Sequence, residues 1–314
     1  MGQPGGAALA RLRGSLVPLV TPFRSGEIDV RALDDLIEFQ ISGGSHGLGV
    51  TGTTGEPSSL NYDEREFMIA HAMERIRGRV PLVAGTGSAN FEETLRLTRF
   101  AAQRGADAVL VITPYYVRPN QENLYQYFRA IAEAVPETPV ILYNIPGRAA
   151  VQVDPPTIGR LRRDVPNIVG VKHSVKDIDV VSQTFVHAGR DFLVYCGMET
   201  LTYPMLTLGG AGHISATGMV APREIADLYN LAAAGRWDEA RDLHYRMLEL
   251  NDILFIEVNP VPLKTALAIM GLCEREWRLP LGPMLPANEA KLREALGRYG
   301  ITEDSGRAAI GVSA

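Results

Sequence analysis

NIVGVKHS, residues 167–174, carries Ile168, Val169 and Val171 with almost no polar break and then a lysine, Lys172. Near-continuous β-branched runs of this kind belong to parallel strands covered on both faces, whereas half-exposed antiparallel strands alternate apolar and polar residues. Seven further runs share the pattern: SLVPLVTPF from residue 15, HGLGVTG from 46, VPLVAGTG from 80, ADAVLVITP from 106, PVILYNIP from 139, DFLVYCGM from 191 and GAGHISATG from 210. Eight buried strands need helices on their outer faces.

The segments between them supply those helices. DVRALDDLIEFQISGG, residues 29–44, sets Leu33, Leu36, Ile37 and Ile41 on one face, with Asp29 as an N-cap and Gly43-Gly44 as a stop. YDEREFMIAHAMERI follows Asn61, and Glu64 three residues on completes a capping-box pattern. Eight βα units at regular spacing predict an α/β fold, a (β/α)8 TIM barrel over residues 15–233. A doubly wound parallel sheet is the alternative. Beyond residue 234 the strands cease. GRWDEARDLHYRMLELNDILF, NPVPLKTALAIMGL and NEAKLREALGRYG read as a small C-terminal helical region over 234–314, and residues 1–14 read as a disordered lead-in.

Composition narrows the class of function. The chain has 314 residues, 46% hydrophobic and 21% charged, with a net charge of −5 and no cluster of Lys and Arg interleaved with aromatics. That balance disfavours a nucleic-acid partner and suits a small-molecule substrate. No run of eighteen apolar residues and no signal-peptide core is present, so no membrane partner and a cytoplasmic location are expected. Cys196 and Cys273 form no CxxC pair, and the six histidines, at 46, 71, 173, 187, 213 and 244, show no HxH or HExxH spacing. Neither a disulfide framework nor a metal is expected.

Barrel enzymes carry their chemistry where strands end and βα loops begin. Lys172 is the only lysine at such a place. Desolvation disfavours a charged amine, and a neutral amine attacks carbonyls; the plainer alternative is a stem lying along the strand with its ammonium in water. Tyr143 ends the neighbouring strand, where its phenol could pass protons during carbinolamine formation and dehydration. GTTGE, residues 52–56, offers two hydroxyls and consecutive backbone N–H groups at a turn, a cradle for a carboxylate. Arg148 could grip a second carboxylate. Taken singly, each of these is more often a buried tyrosine, a turn or a solvated arginine.

Together, GTTGE, TPYY, YNIPGR and GVK, in this order and spacing, resemble the dihydrodipicolinate synthase and N-acetylneuraminate lyase family of Schiff-base aldolases. The resemblance spans nearly the whole chain, from LVTPF to the C-terminal helices. It implies that Lys172 forms an imine with pyruvate, that Tyr143 is the acid/base group beside it, and that Thr53 relays protons between Tyr143 and Tyr116. It further implies that Thr54 holds the pyruvate carboxylate, with Gly197 of CGMET and Ile214 of ISATG as further substrate-binding positions. Tyr115 would lie at a tight-dimer contact of a homotetramer, a dimer of dimers, and neither metal nor organic cofactor is needed.

Within the family, Arg148 resembles the synthase branch, in which this arginine binds the carboxylate of the aldehyde partner. Three departures complicate that reading. His173-Ser174 follows the lysine where an acidic residue and then Ala or Ser are common. Gly197-Met198-Glu199 stands where Gly-Asp-Asp is frequent. Ala89 and Tyr62 stand where regulated synthases can carry asparagine and histidine, so feedback by lysine is not expected. The expected activity is condensation of pyruvate with a carboxylated aldehyde, of the 4-hydroxy-tetrahydrodipicolinate synthase type. The alternative, drawn from KHS, is catabolic cleavage of 2,4-dihydroxyhept-2-enedioate to pyruvate and succinate semialdehyde. A non-catalytic pyruvate-binding regulator on the same barrel is a second alternative. GGSHG at 43–47 matches a serine nucleophile motif, but a helix precedes it and a strand follows, the reverse of the required context. GTGSAN at 85–90 lacks the third glycine of a dinucleotide loop.

Overall fold

The computed structural model describes residues 6–311. Eight parallel strands close into a barrel: β1 (Gly14–Pro18), β2 (Gly47–Val50), β3 (Leu82–Gly85), β4 (Ala108–Ile112), β5 (Val140–Asn144), β6 (Ile168–His173), β7 (Leu193–Cys196) and β8 (Gly212–Ile214). Each pairs with its sequence neighbours, and β1 pairs with both β2 and β8. That closure leaves no sheet edge and sets aside the doubly wound alternative.

Alternation along each strand builds two apolar layers. Leu16, Val83, Leu110, Ile141, Val169 and Leu193 fill the barrel interior. Val17, Leu48, Val109, Leu142, Val171 and Val194 face outward, under the helices. The helix Val30–Ser42 follows its sequence signals closely. Asp29 Oδ1 accepts from the Ala32 N–H at 3.0 Å, and Leu33, Leu36 and Ile37 are wholly buried. Each such side chain gains about 1.5–3 kcal/mol over exposure. Asn61 and Glu64 form the expected capping box at the start of the helix Tyr62–Ile76.

Two local expectations fail. Residues 6–14 are not a disordered lead-in: Gly6–Arg11 is a short helix, and Gly14 opens β1. Leu12 is wholly buried, and its carbonyl accepts from the Tyr195 hydroxyl at 2.7 Å, so interior packing orders a segment with no strong local signal. Residues 1–5 of that expectation lie outside the described ones. The first strand also stops at Pro18 instead of running to Phe23, because proline cannot donate to a ladder. Phe23–Arg24 pairs instead with Glu27–Ile28 in a separate two-stranded ribbon.

Past the barrel, helices Trp237–Ile253, Val261–Ile269 and Pro286–Arg298 occupy the three segments read as helical, and Ser305–Ala309 adds an unforeseen short one. A fully buried ion pair joins this region to the β2 loop: Lys264 Nζ lies 2.7 Å from Glu56 Oε1. Among the described residues, no helix is long and apolar enough to cross a membrane.

Candidate active site

A cavity of about 790 Å³ opens at the C-terminal ends of the strands. Lys172 and Tyr143 stand at its floor as register partners on β6 and β5, and both are buried, at 7% and 5% exposure. The lysine Nζ lies 4.4 Å from the centre of the phenol ring. Burial opposes ionisation of Tyr143, but Lys172, hydrogen bonds with Ser174 and Thr53, and Arg148 outweigh it and hold the phenol below its ordinary pKa. A phenol tuned downward gives up its proton more readily near neutral pH.

Gly197 forms the wall beside the amine. A methyl group there would come within 2.6 Å of Lys172 Cε and 2.3 Å of Ser174 Oγ, so only glycine leaves the lysine its place. Ser174 Oγ donates to the Gly197 carbonyl at 3.0 Å, which fixes the β6 end against β7. Thr53 and Thr54 sit in the 3-10 turn Thr53–Gly55 after β2, and Ile214 closes the far side from β8. Arg148, in the turn Pro146–Ala149, lies at the rim. Seven of the eight expected site residues therefore border one cavity.

Tyr116 does not. It is 91% exposed, has a left-handed φ of 76°, and is absent from the cavity lining. Its neighbour Tyr115 instead borders a void of about 50 Å³ shared with Thr53 and Tyr143. A relay from Thr53 to Tyr116 within one chain is not formed.

Several lining residues carry no local sequence signal. Asn259, Phe255 and Val258 come from the C-terminal region. Asn259 Nδ2 donates to Thr54 Oγ1 at 3.1 Å, and its backbone carbonyl accepts from Arg148 Nη2 at 3.2 Å. Glu199, visible in the sequence only as a departure, borders the cavity and accepts from the Ala216 N–H at 2.8 Å and the Ser215 hydroxyl at 3.3 Å. Burial raises its pKa, so this carboxyl is biased toward the neutral form.

His173 points the other way, as strand alternation requires. Its Nε2–H donates to Thr184 Oγ1 at 3.0 Å, whose own proton goes to the Val180 carbonyl, and its Nδ1 accepts from Asn144 Nδ2 at 3.1 Å. Burial lowers it to about 3. The imidazole is a neutral part of the layer beneath the helices. Cys196 is likewise no nucleophile, its thiol pushed up to about 12 by burial. Among the described residues, no group of three or more His, Cys, Asp or Glu is disposed to hold a metal ion.

A separate cavity of about 310 Å³ is lined by Asn61, Tyr62, Arg65, Ser88, Glu93 and Tyr115. The buried Arg65 guanidinium donates there to the Gly85 and Gly87 carbonyls, both at 3.1 Å, and Arg96 stacks 3.4 Å above the Tyr62 ring.

The family model for the dihydrodipicolinate synthetase family matches residues 11–298. The chain belongs to the dihydrodipicolinate synthetase family. Among members of this family, a 4-hydroxy-tetrahydrodipicolinate synthase of Thermus thermophilus is 54% identical over 289 residues, covering 92% of this chain and 97% of its own. The synthase of Syntrophobacter fumaroxidans is 45% identical over 290 residues, covering 92% and 99%. The crystal structure of dihydrodipicolinate synthase from Aquifex aeolicus superposes with a TM-score of 0.91 at 43% identity, covering 93% of this chain and 99% of that one. Membership in the dihydrodipicolinate synthetase family makes the chain an enzyme, and the reading as a non-catalytic binder is set aside.

Proposed function

We propose that this enzyme joins pyruvate to a carboxylated aldehyde through a lysine Schiff base, as a 4-hydroxy-tetrahydrodipicolinate synthase does. The observation that carries the reading is the buried amine of Lys172 beside Tyr143 in a cavity large enough for two small acids. The neutral amine of Lys172 adds to the keto carbon of pyruvate, and Tyr143 delivers a proton to the departing oxygen so that water leaves. The resulting iminium draws electrons from the pyruvate methyl group, which gives up a proton. The enamine so formed adds to the aldehyde carbon, and the new alkoxide takes a proton. Addition of water or of the aldehyde partner's own amino group to the iminium carbon then expels the Lys172 amine and frees the product.

Thr53 hydrogen-bonds Tyr143 and supports its proton traffic, and Thr54 receives the pyruvate carboxylate. Gly197 and Ile214 shape the pyruvate end of the cavity. Arg148 at the rim takes the aldehyde's carboxylate by a charge-assisted pair. The aldehyde we propose is aspartate semialdehyde. The succinate semialdehyde reading drew on His173-Ser174, but the His173 ring faces Thr184 and Asn144, away from the substrates, and the Ser174 hydroxyl donates to the Gly197 carbonyl.

Tyr116 acts on a site outside its own chain, a role its exposure supports, and the assembly proposed is a homotetramer, a dimer of dimers with Tyr115 near the tight contact. Pyruvate and the aldehyde are the partners, no cofactor enters the steps, and the proposed location is the cytoplasm. Borohydride added with pyruvate tests the scheme: a reduced pyruvyl adduct on Lys172 is expected, and an unmodified Lys172 peptide refutes the imine. A kcat/KM for aspartate semialdehyde at or below that for succinate semialdehyde refutes the substrate.

A further inference from the structure

The ion pair Glu56–Lys264 lies outside the cavity yet connects to it at both ends. Glu56 has a left-handed φ of 53° and directly follows the turn that carries Thr53 and Thr54. Lys264 lies on the helix Val261–Ile269, five positions beyond Asn259, which bonds Thr54 and Arg148. Both charged side chains are wholly buried, with Nζ 2.7 Å from Oε1 and 4.4 Å above the Phe23 ring, while Glu56 Oε2 has no partner.

Taking two charges out of water is costly, and an apolar pair of similar volume often stabilises a fold as well or better. What an apolar pair lacks is direction. A short charged hydrogen bond sets where the turn sits along the helix to a fraction of an ångström, whereas packed methyl groups leave it free to slide. We propose that Lys264 is a positioning residue, which through Glu56 holds the Thr53–Thr54 turn at its working distance from Tyr143 and Lys172. The role rests on the reaction proposed above.

Two variants test it: Lys264→Met, and the doubly neutral Glu56→Gln/Lys264→Met. Melting temperature, the pyruvate concentration for half-maximal borohydride trapping on Lys172, and the split between KM and kcat are measured, the last two well below each variant's melting point. The single variant leaves an unpaired buried carboxylate and melts early, while the double variant recovers most of that loss. The positioning role predicts that the half-trapping concentration and the KM for pyruvate nevertheless rise about tenfold or more in the double variant. A double variant with wild-type trapping, KM and kcat overturns it. Failure of the wild type to trap pyruvate overturns the imine reading and this role together, whereas normal trapping in both proteins overturns the positioning role alone.

Discussion

Tyr143 and Lys172 face each other across one rung of the β5–β6 ladder, with the amine 4.4 Å from the centre of the phenol ring. The ring packs against the lysine head, while Ser174 and Thr53 act on the hydroxyl and help hold it below its ordinary pKa. Orientation of the amine and proton transfer to it thus reside in different parts of one side chain. Tyr143→Phe keeps the first and removes the second. Its kcat should fall about 10²- to 10⁴-fold, the range for general acid–base catalysis, while slow trapping of pyruvate on Lys172 persists. Steady-state kinetics beside peptide mass spectra of trapped protein check both halves.

Gly197→Ala places a methyl group against Lys172 Cε and Ser174 Oγ. The lysine must turn away, and a displacement near 1 Å costs about 10²-fold in rate. Wild-type turnover with an unchanged melting temperature would show that the wall is looser than the geometry requires.

Removal of the Arg148 guanidinium leaves Lys172 and the Thr53 and Ser174 partners of Tyr143 in place, takes away only the smallest of the influences that lower the phenol, and takes the cation from the rim. Arg148→Ala should raise KM for a carboxylated aldehyde by about tenfold or more, the scale of one charged hydrogen bond, with pyruvate trapping close to wild type. Parallel assays with a carboxylated and an uncarboxylated aldehyde isolate the effect.

Free lysine should not inhibit. The cavity that holds Tyr62 also holds the buried Arg65 guanidinium, Ala89 offers no side-chain amide nearby, and Glu93 already accepts from the Ser88 hydroxyl at 2.7 Å. A second cation entering beside Arg65 meets repulsion. Initial rates across a millimolar lysine series should stay flat.

Acid should destabilise the fold from near pH 6.5 downward. His173 and His213 are wholly buried and lowered to about 3, and both His213 ring nitrogens lack partners. Because the folded pKa lies below the unfolded one, the unfolded chain binds the extra protons between those values. Stability is then lost as pH falls from 6.5 toward 3, by up to about 1.4 kcal/mol per unit for each histidine. Calorimetric melting temperatures of His213→Leu should decline less steeply than wild type between pH 7 and 5.

Strand order and the strand-end residues were readable because a barrel writes them locally: each apolar run ends in the letters that face the cavity. Lys172, Tyr143, the GTTGE turn with Thr53 and Thr54, and Arg148 follow from that rule, whereas Gly197 and Ile214 came from the family resemblance. The direction of His173 follows from period-two alternation once Lys172 is placed in the cavity, but its partners Thr184 and Asn144 were not readable, because they meet it only through tertiary packing. Asn259 and Phe255 were invisible for another reason. They reach the cavity through tertiary contact from a region whose own pattern announces only helices. Tyr116 shows the limit of motif order, because adjacency of two tyrosines says nothing of which one the backbone turns outward.

Asn259 gives the C-terminal helices a standing that their position outside the barrel conceals. One residue from that region ties the two proposed carboxylate holders, Thr54 and Arg148, to a common anchor. Anyone retargeting this scaffold by exchanging βα loops alone would transplant half of a lock and leave its tumbler behind. The heritable unit of this pocket is the barrel rim together with residues 255–264, and chimeras cut between them should be built with that seam intact.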